Sequence, residues 1–145
     1  MKRIADTGLL KAALDASDTY HEWGSREFQN NAPFHVCEGV LVELAHLLGD
    51  ASAGVRMLAR GDLILDFNLA ENVDEVLVLL EKYSDREMDL VDGCIVRMSE
   101  LNDQCKVWTV DHEDFRVYRR HGRQTIACEF PRSYVSRHGP SCSRV

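Results

Sequence analysis

Short apolar segments alternate along this chain with segments whose apolar residues recur at helical spacing, and this alternation limits the possible folds most. The strand-like segments are 2–5, 34–37, 62–67, 106–110 and 124–128. In the helix-like segment 40–48, aliphatic residues recur at helical spacing before Gly49, a residue that commonly ends helices. Alternating strands and helices are typical of α/β domains with a parallel sheet. We therefore predict an α/β fold with a mostly parallel sheet.

Local signals add boundaries for the other helices. Asn68-x-x-Glu71 and Ser84-x-x-Glu87 both have the form of a capping box, which predicts a helix after each. The predicted helices cover 9–14, 17–31, 40–48, 73–83, 84–101 and 111–121, the last of them ended by Gly122.

Length and composition indicate one compact domain. The chain has 145 residues, of which 45% are hydrophobic and 28% charged, so general disorder is excluded. Residues 131–145 are polar and basic, without periodicity, so we predict a domain over 1–130 and a flexible tail over 131–145.

The cysteines and the hydropathy of the chain indicate the cellular compartment in which the protein is expected. The five cysteines include no C-x-x-C pair, which argues against a zinc finger or a disulfide framework and favours free thiols. No apolar run has the length of a signal peptide or a membrane span. We expect a cytoplasmic protein with no membrane partner.

Several acids fall where a parallel sheet places its ligands. Asp6 and Asp111 each follow a predicted strand, and ligands bind outside the carboxyl ends of such strands. Glu43 and Asp92 lie within helices beside apolar residues, where a partly buried carboxylate needs a cation or a metal nearby. Asp89 precedes Asp92 by three residues, so both project from one helix face.

Each acid, taken alone, also fits a structural role. Asp6 and Asp111 are suited to capping the helices that follow them, with Asp114 at the third helical position. Asp89 fits an ordinary solvated helix surface. The sequence leaves these alternatives open.

Four sequence blocks together resemble the PIN-domain family, most closely the VapC-type toxins of bacterial and archaeal toxin–antitoxin pairs. The blocks are Asp6-Thr7-Gly8-Leu9-Leu10, Val40-Leu41-Val42-Glu43-Leu44, Met88-Asp89-Leu90-Val91-Asp92-Gly93 and Trp108-Thr109-Val110-Asp111-His112-Glu113-Asp114-Phe115. Each block is weak by itself, but their order and spacing agree with the family over residues 2–130. The resemblance implies a three-layer α/β/α sandwich with about five mostly parallel strands.

The resemblance also implies a carboxylate site for Mg²⁺ or Mn²⁺. The acids that it makes both catalytic and metal-binding are Asp6, Glu43, Asp92 and Asp111. Asp89 and Asp114 are secondary candidates, and Thr109 would orient a carboxylate or a water. An all-oxygen ligand set suits Mg²⁺ better than zinc, which favours Cys and His.

The charge distribution is unusual for a protein that binds nucleic acid. The formal net charge is −7, and the last 15 residues contribute +3, which leaves −10 for residues 1–130. A basic footprint is the usual sign of nucleic-acid binding, although a metal bound by several carboxylates reverses the local charge. The candidate substrate- or partner-binding cations lie on the predicted helix 111–121 and just after its end, and they are Arg116, Arg119, Arg120 and Arg123. A stabilising interaction with the C-terminal end of the helix dipole explains them equally well.

The functional hypothesis is a metal-dependent endoribonuclease, the toxin of a type II toxin–antitoxin pair. The resemblance implies an RNA substrate, a cognate antitoxin and a homodimer. The alternatives are a housekeeping PIN ribonuclease in RNA maturation and a PIN scaffold without catalytic activity. The complete set of acids argues against the scaffold.

Overall fold

A five-stranded, all-parallel sheet forms the centre of the protein in a computed structural model that describes residues 1–132. The strands, in chain order, are β1 (Lys2–Ala5), β2 (Phe34–Val36), β3 (Leu63–Leu65), β4 (Cys105–Trp108) and β7 (Cys128–Glu129). Their spatial order is β3-β2-β1-β4-β7. The predicted fold class is therefore confirmed, and the sheet is parallel throughout.

Helices flank this sheet as the outer layers of a sandwich. The helices of residues 1–132 are α1 (Thr7–Leu14), α2 (His21–Asn31), α3 (Glu38–Leu48), α4 (Ala53–Arg60), α5 (Val73–Lys82), α6 (Leu90–Glu100) and α7 (His112–Phe115). The chain moves from β1 to β3 in one direction along the sheet and then returns to β4. Because crossovers between parallel strands are right-handed, this reversal places α1 to α4 on one face and α5 with α6 on the other.

The core consists of aliphatic strand residues and the inner faces of these helices. Ile4, Val36 and Val107 on the sheet, and Leu44 and Ile95 on α3 and α6, are fully buried. None of the helices in residues 1–132 is long and apolar enough to cross a membrane.

The end of α3 was predicted from the sequence, whereas the helix α4 was not. The helix α3 ends at Gly49, as predicted, and this glycine takes the left-handed conformation with φ of 64°. No sequence prediction covered α4, a short helix with Gly54 in its first turn. Gly54 lets α4 pack closely against α3, because a Cβ at this position would lie 2.7 Å from Leu41 Cδ2.

The predicted start of α6 after Ser84 is wrong. Residues Ser84–Arg86 form a single 3₁₀ turn, and Glu87 takes a left-handed conformation with φ of 58°. The helix begins at Leu90 because Asp89 is its N-cap, and the Asp89 carboxylate accepts the Asp92 N–H at 2.8 Å. In the same way, Asn68 caps only a 3₁₀ turn, and α5 begins at Val73.

The predicted helix 111–121 is also wrong. The helix α7 stops at Phe115, and the chain forms a hairpin of β5 (Arg119–Arg120) and β6 (Gln124–Thr125). The hairpin turn holds His121 at φ 52° and Gly122 at φ 83°, which is the backbone conformation of tight hairpin turns and is incompatible with a helix. The predicted tail at 131–145 lies outside the described residues from 133 onward.

Candidate metal centre

The candidate site lies where neighbouring strands β1 and β4 end. The chain leaves β1 toward β2 on one side, and β4 pairs with β1 on the other, so this is the switch point where α/β sheets bind ligands. Pairing of Ala5 with Trp108 places Asp6 directly beside Thr109. The Thr109 hydroxyl donates to Asp6 Oδ2 at 2.9 Å.

Asp6 is a buried carboxylate at the end of β1, with 9% of its surface exposed. It caps α1, as the structural alternative predicted, by accepting the Thr7 N–H at 2.8 Å. Burial raises the pKa of Asp6 to about 6, and the negative charges of Glu43 and Asp111 add to this effect. The hydrogen bonds from Thr109 and Thr7 oppose the increase in pKa. Asp6 therefore has a structural role and lies in an acidic environment.

Glu43 reaches the site from α3 through a threonine. The Thr7 hydroxyl donates to Glu43 Oε1 at 2.6 Å, and the Thr7 N–H donates to Asp6. One residue thus links two of the predicted ligands. Thr7 stood within the Asp6-Thr7-Gly8 block, but its own role was not predicted.

Asp92, Asp111 and Asp114 form a close group of acids. Each offers a carboxylate oxygen, and these three atoms lie within 4.8 Å of one another. Asp111 caps α7 by accepting the Asp114 N–H at 3.0 Å, and its own N–H donates to Thr109 Oγ1 at 3.0 Å. The backbone around Asp111 thus fixes two members of the group.

Asp92 is buried among other acids. It is 9% exposed, and its pKa is raised to about 8 by burial first and then by the negative charges of Asp6, Asp89 and Asp111. The Tyr118 hydroxyl donates to Asp92 Oδ2 at 2.9 Å and opposes this increase in pKa. Burial also raises the pKa of Asp111.

The secondary candidates differ in their positions. Asp89 is exposed and serves α6 as its N-cap, although its charge acts on Asp92. Asp114 belongs to the tight group and also forms an ion pair with Arg86, with 2.9 Å between Nη2 and Oδ1. Thr109 is fully buried and contacts both Asp6 and Asp111, as a positioning residue should.

The residues present fit a hard divalent cation. The donors are carboxylate oxygens, which Mg²⁺ and Mn²⁺ prefer. Crowded, desolvated carboxylates also need positive charge before they ionise together. An ion pair reaches one of the six acids of the site, from Arg86 to Asp114. A divalent ion bound there would favour the ionised form of each carboxylate.

The four arginines predicted to bind substrate or partner do not share a helix face. The guanidinium of Arg120 donates to the carbonyls of Ser99 and Asn102 at the end of α6, the latter at 2.8 Å. Arg119 donates to the carbonyls of residues 116, 117 and 118. Arg116 and Arg123 are exposed. A role in binding stays a prediction for all four.

Sequence reasoning missed two further residues of the site, Tyr118 and Arg86. Tyr118 was placed on the part of a predicted helix that does not form, and Arg86 lies on a turn that was predicted to be helical. Neither residue carries a local signal, because its contact partner lies 26 or 28 residues away in the chain.

No model of a known protein family matches this chain, and no curated protein matches it. The resemblance of the four blocks therefore stays a prediction.

Proposed function

We propose that this protein is a metal-dependent endoribonuclease of the PIN-domain type, acting in the cytoplasm as the toxin of a type II toxin–antitoxin pair. The observation that carries this proposal is the group of Asp92, Asp111 and Asp114, with carboxylate oxygens within 4.8 Å of one another. The group lies at the switch point of a parallel sheet, beside the buried Asp6. Structural acids do not require such crowding, which costs free energy without a cation.

The residues of the site have distinct roles in this proposal. Asp92, Asp111 and Asp114 hold Mg²⁺ or Mn²⁺, and Asp6 and Glu43 complete the acidic surface around it. A metal bound there supplies a water of lowered pKa and neutralises charge on the phosphate. Thr109 and Thr7 hold Asp6 and Glu43 in place, and the Tyr118 hydroxyl orients Asp92.

The choice of RNA as substrate rests on the resemblance of the four sequence blocks to the PIN-domain family. Their acids Asp6, Glu43, Asp92 and Asp111 come from β1, α3, α6 and the end of β4, and each contributes to the same acidic site. An antitoxin partner and a homodimer belong to the same proposal.

The decisive experiment incubates the purified full chain with structured RNA in Mn²⁺, in Mg²⁺ or in EDTA. The variant Asp6→Asn removes a site carboxylate and keeps one oxygen, which can still accept the Thr7 N–H, whereas an amide nitrogen replaces the oxygen that accepts from Thr109. The variant Asp103→Asn is the matched control. Asp103 is exposed and precedes β4, so it lies at the end of the strand opposite to the carboxylate site. We expect cleavage by the wild type and the control only with metal, and none by Asp6→Asn.

Two kinds of outcome would overturn the proposal. One is cleavage in EDTA, or equal cleavage by Asp6→Asn, because the carboxylate site would then be dispensable. The other is absence of Mn²⁺ binding by the wild type in a calorimetric titration. This titration does not depend on finding the right RNA, so a narrow target preference does not affect it.

A further inference from the structure

Arg86 places a positive charge against the acidic site. Its Nη2 lies 2.9 Å from Asp114 Oδ1, and Asp114 is one of the three clustered acids. The Arg86 side chain is 34% exposed, so it contacts both the site and the solvent. A ligand that approaches the carboxylates from outside therefore meets this guanidinium.

The backbone that carries Arg86 is held firmly. The turn Ser84–Arg86 lies between Tyr83 and Met88, which are 7% and 8% exposed. The Tyr83 carbonyl accepts the N–H groups of both Arg86, at 3.1 Å, and Met88, at 3.3 Å. The Tyr83 ring packs edge-on against Tyr118, whose hydroxyl donates to Asp92. The same aromatic pair thus supports Arg86 and one of the clustered acids.

The negative charge of the site suggests a role for Arg86 in binding a phosphate. An RNA phosphate is repelled by this acidic domain unless cations meet it at the site. A guanidinium binds phosphate through a planar fork of donors, which suits it for this contact. Arg119 and Arg120 direct their guanidinium groups at backbone carbonyls, whereas Arg86 is bonded to a clustered carboxylate.

Arg86 and a divalent cation compete for the carboxylate of Asp114. A carboxylate that holds a guanidinium binds a divalent cation less well, since the two positive charges repel each other. A divalent metal bound at Asp114 would weaken the ion pair between Asp114 and Arg86. Arg86 would then lie beside the metal, where an RNA phosphate would bind. The guanidinium would then have the phosphate as its partner.

We infer that Arg86 is a substrate-binding residue, which pairs with Asp114 in the metal-free protein and holds an RNA phosphate when a divalent metal occupies the carboxylates. This inference rests on the proposed nuclease function. It predicts effects of opposite sign on two ligands, because loss of Arg86 favours the metal and disfavours the RNA.

The first measurement is Mn²⁺ affinity by isothermal titration calorimetry, without RNA. We expect Arg86→Gln to bind Mn²⁺ roughly fivefold more tightly than the wild type, the size of a surface ion-pair effect. The matched control is Arg60→Gln, which removes an exposed ion pair with Asp62 at the start of β3. The control should leave the affinity unchanged.

The second measurement is RNA cleavage at saturating Mn²⁺. We expect Arg86→Gln to raise KM roughly tenfold, as loss of a charge-assisted hydrogen bond does, with a smaller change in kcat. Arg86→Lys keeps the charge without the fork and should give an intermediate KM. It also retains the ion pair with Asp114, so it serves as the test variant if Arg86→Gln does not fold.

The outcomes separate this inference from the proposed function. Absence of Mn²⁺ binding by the wild type overturns the metal site and the role of Arg86 with it. If the wild type binds Mn²⁺ and cleaves RNA, but Arg86→Gln leaves Mn²⁺ affinity and KM unchanged, the Arg86 inference alone is wrong. Weaker Mn²⁺ binding by Arg86→Gln also overturns it, because a residue that merely supports the site would give that result.

Discussion

Replacement of Asp92 by Asn should stabilise the metal-free protein at neutral pH, although it removes a proposed ligand. Asp92 is 9% exposed, and its pKa is raised from 3.8 to about 8 by burial and by the charges of Asp6, Asp89 and Asp111. Asn has nearly the same shape and offers an oxygen to the Tyr118 hydroxyl. The substitution therefore removes the electrostatic cost and retains the contact.

The sign of the effect follows from proton linkage. Between pH 3.8 and about 8, folded Asp92 keeps a proton that the unfolded chain has released. The free energy of unfolding thus falls as the pH rises through this range. At pH 7 the difference spans roughly 3 pKa units, or on the order of 4 kcal/mol at about 1.4 kcal/mol per unit. For a chain of this length, that corresponds to an increase of roughly 10 °C in Tm.

The assay is thermal unfolding followed by circular dichroism in EDTA at pH 4 and pH 7. We expect Asp92→Asn to raise the Tm at pH 7 and to leave it nearly unchanged at pH 4, where Asp92 is neutral. Asp103→Asn is the control, because it removes an exposed acid and should change neither value appreciably.

Two results would refute this reasoning. A lower Tm for Asp92→Asn at pH 7 would mean that the Asp92 carboxylate stabilises the fold without metal. An equal increase at pH 4 and pH 7 would show that the gain comes from packing rather than from the removal of the proton uptake that folding requires of Asp92.

Three further predictions concern the site and the packing around it. Mn²⁺ should raise the Tm more at pH 8 than at pH 5, because metal binding must displace protons from carboxylates of raised pKa at the lower pH; equal shifts would contradict this. Tyr118→Phe should weaken Mn²⁺ binding on the order of tenfold in a calorimetric titration, since the ring remains but the hydrogen bond to Asp92 is lost; an unchanged affinity would mean that the hydroxyl does not orient the carboxylate. Gly24→Ala should lower the free energy of unfolding in urea by about 2 kcal/mol, because the new Cβ would lie 2.6 Å from Ala12 Cβ and 2.8 Å from Ala13 N; wild-type stability would show that α1 and α2 separate at little cost.

The fold was predictable because its signals are local. The segment Lys2–Ala5 forms β1 with the predicted bounds, and α3 ends at Gly49 as predicted. The order of strands and helices then implies a parallel sheet, since parallel neighbours need helical crossovers. The placement of Asp6 after β1 follows from the same pattern.

The errors fall where tertiary contacts overrule a local pattern. Ser84-x-x-Glu87 has the form of a capping box, yet the buried Tyr83 and Met88 hold this segment as a turn, and Asp89 starts the helix instead. After Phe115 the residues have no helix breaker before Gly122, but the chain forms a hairpin in which Arg120 bonds to the end of α6. Such choices depend on partners that are distant in the chain.

The sequence by itself determined that this chain forms a parallel α/β sheet with acids at its strand ends and on two helices, because periodicity and strand order are properties of neighbouring residues. Only the tertiary structure decided which acids share one site. Asp92 lies close to Asp111 and Asp114 because α6 packs beside the end of β4 and because Tyr118 meets Asp92 across 26 residues of chain. The structure alone also brought Arg86 to Asp114. Distances of this kind are set by the packing of whole elements, and no short stretch of sequence encodes them.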